Sequence, residues 1–347
     1  MLKKIYLNWI LKKEQEGVLQ KASSKKIHEF DWGLEYLGLD KNASDPKSEL
    51  INYTKRNLVE SKNYFSPPRV GYVEFDNGNN FIRFESNIKS SFPCNNIVKA
   101  KYFPSNEKKN AIIVVPHWNA DGDKYDKLCN WLRKISFSSL RLVMPYHEER
   151  DPFGPPDSTW MVSANIGLTI QAMRQCVHDI INCADWLISI GYKRIAIMGA
   201  SLGSCAAFIA SVHDPRIIGF FANFISSYFG DVVWTGNSTK HIRLSVEKSI
   251  TQDDLRIMWL LNSPIAFIDK IEEYNPLLKQ FYIIGKYDTT FRFDLSEKII
   301  NAIEKKKLAI IYKILPIGHY SLGSGIFALM DAYFFISFFN KIFTNKP

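Results

Sequence analysis

The chain has 347 residues, 46% of them hydrophobic and 23% charged, a balance that supports one sizeable core and excludes global disorder. Its formal charge of +9, from 44 Lys and Arg against 35 Asp and Glu, is dispersed in short runs such as Lys305-Lys306-Lys307. No long basic tract or nucleic-acid motif occurs, so the charge reads as solvated surface, with no nucleic-acid partner expected.

Residues 1–65 carry helical patterning and polar breaks without a chemical motif, and are expected to form an N-terminal helical extension. Residues 1–13 lack the small-residue cleavage site of a signal peptide. With Lys3, Lys4, Lys12 and Lys13 around apolar residues, they suit a short cationic amphipathic helix. It would either lie on a membrane surface as a peripheral contact or pack on its own domain. Residues 66–347 read as the main domain. It opens with three strand-like runs at 70–75, 81–85 and 97–103, the first two separated by the turn-forming Asp76-Asn77-Gly78-Asn79.

From Ala111 onward, strand and helix alternate. Residues 111–115 are wholly apolar, as expected of a strand buried on both faces. A helix at 123–134, a strand at 140–144 and a long helix at 164–190 follow. Then come a strand at 194–198, a helix at 201–212, strands at 217–225, 281–284 and 308–314, and a helix at 295–304. Such alternation predicts a mostly parallel sheet flanked by helices, with reactive groups at the carboxyl ends of its strands. Residues 226–274, containing Trp234 and Trp259, form the natural helical cap insertion. The Phe-rich stretch at 326–343, interrupted by Asp331 and Asn340, is expected to be a buried terminal helix and not a membrane span. The odd count of five cysteines without tight pairing points to reduced thiols and a cytoplasmic setting.

The chemistry gathers at three strand ends. Gly199-Ala200-Ser201-Leu202-Gly203 is a G-x-S-x-G pentapeptide, a pattern that composition alone places in on the order of one chain in ten of this length. Its context is more specific, because an apolar strand ends at Met198 and a helix rich in small residues begins at Ser201. A serine on a sharp strand-to-helix turn forces close backbone contacts, which explains glycine two residues to either side. Ser201 is therefore the candidate nucleophile. It needs a positioned base, and His319 in Gly318-His319-Tyr320 follows the last apolar strand directly. The base in turn needs a carboxylate. Asp288, in the turn after residues 281–284, is the first candidate, with Asp294 and Asp231 as alternatives. An oxyanion would be met by two backbone N–H groups, one from Leu202 and one from the loop Pro116-His117-Trp118-Asn119, where Trp118 is favoured and Asn119 is a close alternative. His117 is expected to support that loop by hydrogen bonding, and His147-Glu148-Glu149 lacks zinc-ligand spacing and is expected to line or support the cleft. Nothing implies a metal or organic cofactor.

The region from about Ile97 onward resembles the α/β-hydrolase superfamily. His117-Trp118-Asn119-Ala120-Asp121-Gly122-Asp123, Pro145-Tyr146-His147, residues 186–204 and Gly318-His319-Tyr320-Ser321 are similar to segments of a poorly characterised group of α/β-hydrolase-domain proteins, with Asn119-Ala120 standing where that group has Ala-Gly. The resemblance implies an α/β-hydrolase fold and a serine hydrolase acting on ester, thioester or related acyl bonds through an acyl-enzyme. The substrate would be a small acyl compound, with a lipid-like chain suggested by the aromatic-rich cap. An acyltransferase or peptidase on the same residues, or a catalytically silent hydrolase-fold binding protein, are the alternatives.

Overall fold

A computed structural model describes residues 2–20, 27–107, 109–154 and 158–344; residues 21–26 of the expected extension lie outside the described residues. The apolar runs assemble into one nine-stranded sheet. Its strands are β1 (Glu74–Asp76), β2 (Phe81–Glu85), β3 (Ile97–Phe103), β4 (Asn110–Val115), β5 (Ser138–Val143), β6 (Arg194–Ala200), β7 (Ile217–Asn223), β8 (Lys279–Gly285) and β9 (Ile310–Leu315). Their spatial order is β1-β2-β3-β5-β4-β6-β7-β8-β9. β1, β2, β3 and β5 pair antiparallel in succession, and every pairing from β5 through β4 to β9 is parallel. The central strands β4 and β6 are buried along almost their whole length, whereas β9 at the edge alternates exposed and half-buried side chains. That difference is what two-sided and one-sided packing require of sequence.

The helices are α1 (Leu2–Gln20), α2 (Pro46–Val59), α3 (Ser61–Tyr64), α4 (Gly122–Lys134), α5 (Ile166–Ser189), α6 (Leu202–His213), α7 (Phe229–Thr235), α8 (Lys240–Val246), α9 (Gln252–Met258), α10 (Ile271–Tyr274), α11 (Phe293–Lys305) and α12 (Gly325–Thr344). Successive side chains of a strand point to opposite faces, and β7 shows how both faces are covered. Phe220 meets Phe208 of α6, while Phe221 meets Phe335, Phe338 and Phe339 of α12. α5 is buried nearly all round, its polar Gln175, His178 and Asp179 meeting Asn95, the Tyr64 carbonyl and Arg150. Its N-terminus is capped by Asn165, whose side chain accepts from Leu168 N at 2.8 Å.

Two sequence expectations shift. The first strand begins only at Glu74, where it pairs with Arg83; Pro67-Pro68 and Gly71 precede it and are poor ladder residues. The terminal helix is buried through Phe335, Phe338, Phe339 and Phe343 only. Its first turns expose Ile326 (66%) and Leu329 (71%). Among the described residues, α12 is the one helix long and apolar enough to cross a membrane, yet four buried phenylalanines commit one face of it to the sheet.

The extension clasps the domain at several places, among them α5, where Arg174 donates to the Tyr64 carbonyl at 3.0 Å. Thr54 of α2 donates to the Met258 carbonyl at 2.8 Å, tying α2 to α9. α1 lies instead against the loop after β9, where the Tyr6 hydroxyl donates to the Pro316 carbonyl at 2.5 Å.

Candidate active site

β6 ends in a turn that no ordinary backbone conformation could make. Ser201 has φ 53° and ψ −121°, a sparsely populated region costing on the order of 1–3 kcal/mol. The glycines around it are required by space. A Cβ on Gly203 would stand 2.1 Å from the Pro116 carbonyl oxygen, and one on Gly199 would stand 2.6 Å from the Gly203 carbonyl oxygen. Ser204 braces the turn by donating its hydroxyl to the Ser201 and Phe224 carbonyls, at 2.6 Å and 2.5 Å. The turn leaves the Ser201 side chain at the carboxyl end of the sheet and at the head of α6.

The Ser201 hydroxyl lies 3.0 Å from His319 Nε2. His319 Nδ1 lies 2.7 Å from Asp288 Oδ2. The other carboxylate oxygen, Asp288 Oδ1, accepts from Thr290 N and Phe291 N, each at 2.7 Å. With one oxygen held by backbone amides, the other faces the imidazole in a fixed direction, which makes Nδ1 the protonated nitrogen and leaves Nε2 as acceptor for the serine. The ring itself is flanked by Phe224 and Phe291, with centroids 4.8 Å and 5.4 Å away. The alternative acids are engaged elsewhere: Asp231 accepts from Arg256 and Gln252 at 2.9 Å and 3.0 Å, and exposed Asp294 pairs with Arg292.

The loop after β4 runs beside this group. His117 Nδ1 lies 2.7 Å from the Tyr125 hydroxyl, which also accepts the His117 backbone N–H at 3.2 Å. Trp118 donates its indole N–H to the Ser158 carbonyl at 2.9 Å. The Asn119 amide donates to His147 Nε2 at 3.1 Å, and His147 Nδ1 donates to the Pro145 carbonyl at 2.8 Å. The carbonyl fixes the tautomer of His147 and so makes its Nε2 an acceptor. Of the two loop amides weighed for an oxyanion position, Trp118 and Asn119, that of Asn119 is thus turned toward His147. Leu202 occupies the first position of α6, where a helix has no internal acceptor for its N–H.

Sequence reasoning missed Glu14. Only 2% exposed, it reaches from α1 into the loops that carry His319 and Asp288. Oε1 accepts from Tyr320 N at 2.9 Å, and Oε2 accepts from Thr289 N at 3.2 Å and the Thr289 hydroxyl at 2.8 Å. Its side chain lies where a Cβ of Gly318 would be, 2.3 Å away, and Gly17 presses on the Tyr320 ring in the same manner. No local signal set it apart, since α1 also carries Glu16 among its lysines and apolar residues.

Ser201 separates two cavities. One, of about 60 Å³, lies against α7 and is walled by Val162, Phe229, Val232, Val233 and Phe291. The other, of about 580 Å³, extends between α4 and α12.

No protein-family model matches the sequence, and no curated protein sequence is significantly similar to it. Solved structures do share its architecture. An acylaminoacyl peptidase from Pyrococcus horikoshii superposes with a TM-score of 0.58 at 14% identity, covering 84% of this chain and 44% of that one. An acylaminoacyl peptidase in complex with Z-Gly-Gly-Phe-chloromethyl ketone gives 0.56 at 15% identity, over 76% and 42%. A thermostable carboxyl esterase from Bacillus coagulans, in complex with glycerol, gives 0.54 at 13% identity, over 76% and 98%. The chain thus spans less than half the length of the two peptidases.

Proposed function

Given that this chain has the α/β-hydrolase fold, we propose that it is a serine hydrolase that cleaves ester, thioester or related acyl bonds through an acyl-enzyme. The observation that carries the reading is the continuous relay from the Ser201 hydroxyl through His319 to Asp288, at 3.0 Å and 2.7 Å. In this reading Ser201 Oγ attacks the carbonyl carbon while His319 Nε2 takes its proton. The Leu202 and Trp118 amides receive the oxyanion, the imidazolium returns its proton to the leaving group, and water activated by the same histidine clears the acyl group. Asp288 stabilises the imidazolium and holds the ring.

The small apolar chamber against α7 supports a short acyl group there, so a lipid-like chain finds room only on the larger, α12 side. Exposed Ile5 and Leu11 beside Lys4, Lys12 and Lys13 on α1 support peripheral contact with an anionic lipid surface. Five unpaired cysteines support a reducing, cytoplasm-like compartment. Peptide-bond cleavage or acyl transfer on the same residues is the second reading, favoured by the two acylaminoacyl peptidases among the neighbours.

The test is turnover of short 4-nitrophenyl esters and of N-acyl peptides by the full chain, with competing alcohol and amine acceptors to separate hydrolysis from transfer. The proposal expects ester turnover that falls by about 10⁴-fold or more in Ser201→Ala and in His319→Ala. Ester turnover that survives both substitutions would overturn it.

A further inference from the structure

The larger cavity begins at Ser201 and His319 and ends at Asp331 of α12. Asn223, the last residue of β7, joins its two ends. It pairs with Ala200 across the ladder, and its backbone carbonyl accepts the Ser201 N–H at 2.8 Å. Adjacent strands lie roughly 4.8 Å apart, so Asn223 stands immediately beside the nucleophile. Its side-chain Nδ2 donates to Asp331 Oδ2 at 3.1 Å. That bond orients the amide and leaves two acceptors over. Asn223 Oδ1 and Asp331 Oδ1 are both buried, and neither has a hydrogen-bond partner among the described residues. Lys124 and Tyr125 of α4 line the same cavity; Lys124 pulls electrostatically on the Asp331 carboxylate, yet Oδ1 is left without a hydrogen bond among the described residues.

Buried acceptors are rarely left unpaired without a reason. Two of them, adjacent, beside a nucleophile and in a cavity with room for a substrate, ask for a molecule that brings donors. We propose that Asp331 and Asn223 form a subsite for a substrate portion carrying a primary ammonium group a few bonds from the scissile carbonyl. The ammonium supplies N–H donors to both free oxygens and a positive charge to the Asp331 carboxylate, the charge-assisted pairing that is strongest in a sheltered site. A hydroxyl satisfies one acceptor and brings no charge. This inference rests on Ser201 being the nucleophile. Burial holds the Asp331 carboxyl up at about 6. Above that value the carboxylate is charged and the ammonium preference is fully present; as the pH falls through it the preference declines.

The experiment compares kcat/KM at pH 8 for matched esters in two series. For the acyl half, 4-nitrophenyl 3-aminopropanoate is set against 4-nitrophenyl butanoate; for the alcohol half, 3-aminopropyl butanoate is set against butyl butanoate. One series should favour the amine by about tenfold or more, and Asp331→Asn should bring that ratio to within about twofold of one. Propylammonium should inhibit butyl butanoate hydrolysis by the unaltered chain competitively, where 1-butanol does not, a measurement that needs no variant. Ratios at or below one in both series, or a ratio that persists in Asp331→Asn, overturn the subsite. Labelling of Ser201 by a fluorophosphonate in the same preparations keeps the two levels apart. Labelling without amine preference overturns the subsite alone, and no labelling overturns the reading beneath it.

Discussion

Ser201, His319 and Asp288 were legible in the sequence because each follows an apolar run, and the ends of parallel strands converge on one rim. The glycines at 199 and 203 carried the same information, since only a crowded turn needs both. Glu14, Asn223 and Asp331 were not legible, and His147 only as a residue expected to line or support the cleft. Their partners stand 28 to 306 positions away along the chain, and no local pattern records that. Asp331 read as a polar interruption of an apolar helix, which it is, but its meaning lies in Asn223 opposite. Its titration gives a stability test. A carboxyl raised by burial binds its proton more tightly folded than unfolded, so its folded-state penalty is absent below pH 4, grows between about 4 and 6, and is complete above 6. The full penalty is on the order of 3 kcal/mol, from about two pH units at 1.36 kcal/mol each. Thermal unfolding of Asp331→Asn should therefore gain on the unaltered chain as the pH rises from 4 to 7. A constant difference across that range would contradict it.

At the scale of elements, two tertiary ties deserve separate tests. Arg150 and Asp179 form a fully buried ion pair at 2.9 Å, with Ser86 donating to the second carboxylate oxygen at 2.7 Å and the Asn95 and Val143 carbonyls accepting from the guanidinium. Removing one partner leaves an unpaired buried charge. Denaturant unfolding of Arg150→Met should show a loss of about 3–5 kcal/mol, much of it recovered in Arg150→Met with Asp179→Leu. Equal losses in the single and double variants would contradict the pairing. The second tie is α1, expected from sequence either to lie on a membrane surface or to pack on its own domain; its Glu14 bridges the loops at 289 and 320. Glu14→Ala should lower kcat/KM for a soluble short ester by roughly tenfold to a hundredfold, consistent with about 1.5–3 kcal/mol for hydrogen bonds to a charged group. Because Glu14 acts through His319 and Asp288, the loss should fall on kcat more than KM and distort the pH profile of kcat. A rise in KM alone would assign it to substrate binding.

On the scale of the whole molecule, the sheet was legible from alternation of apolar strand and helix. The turn at 76–79 marked the connection of β1 to β2, whereas the antiparallel pairing of β3 with β2 and β5 left no local mark. What alternation could not show is how the two ends of the chain meet at the site: α1 braces the loop that carries His319, and α12 walls the larger cavity with Asp331 in its first half while its second half packs on the sheet. Ile5 and Leu11 are exposed on different sides of α1, each near lysines, so Ile5→Ser with Leu11→Ser should weaken co-sedimentation with anionic liposomes by about tenfold. Unchanged sedimentation would remove the lipid contact from the account without touching the relay at Ser201.

That relay is tested most directly by exposing the full chain to a fluorophosphonate probe and locating the adduct by peptide mass. The account predicts a single phosphonylated residue, Ser201, with labelling lost in Ser201→Ala and strongly slowed in His319→Ala. An adduct elsewhere, or equal labelling of Ser201→Ala, would contradict it.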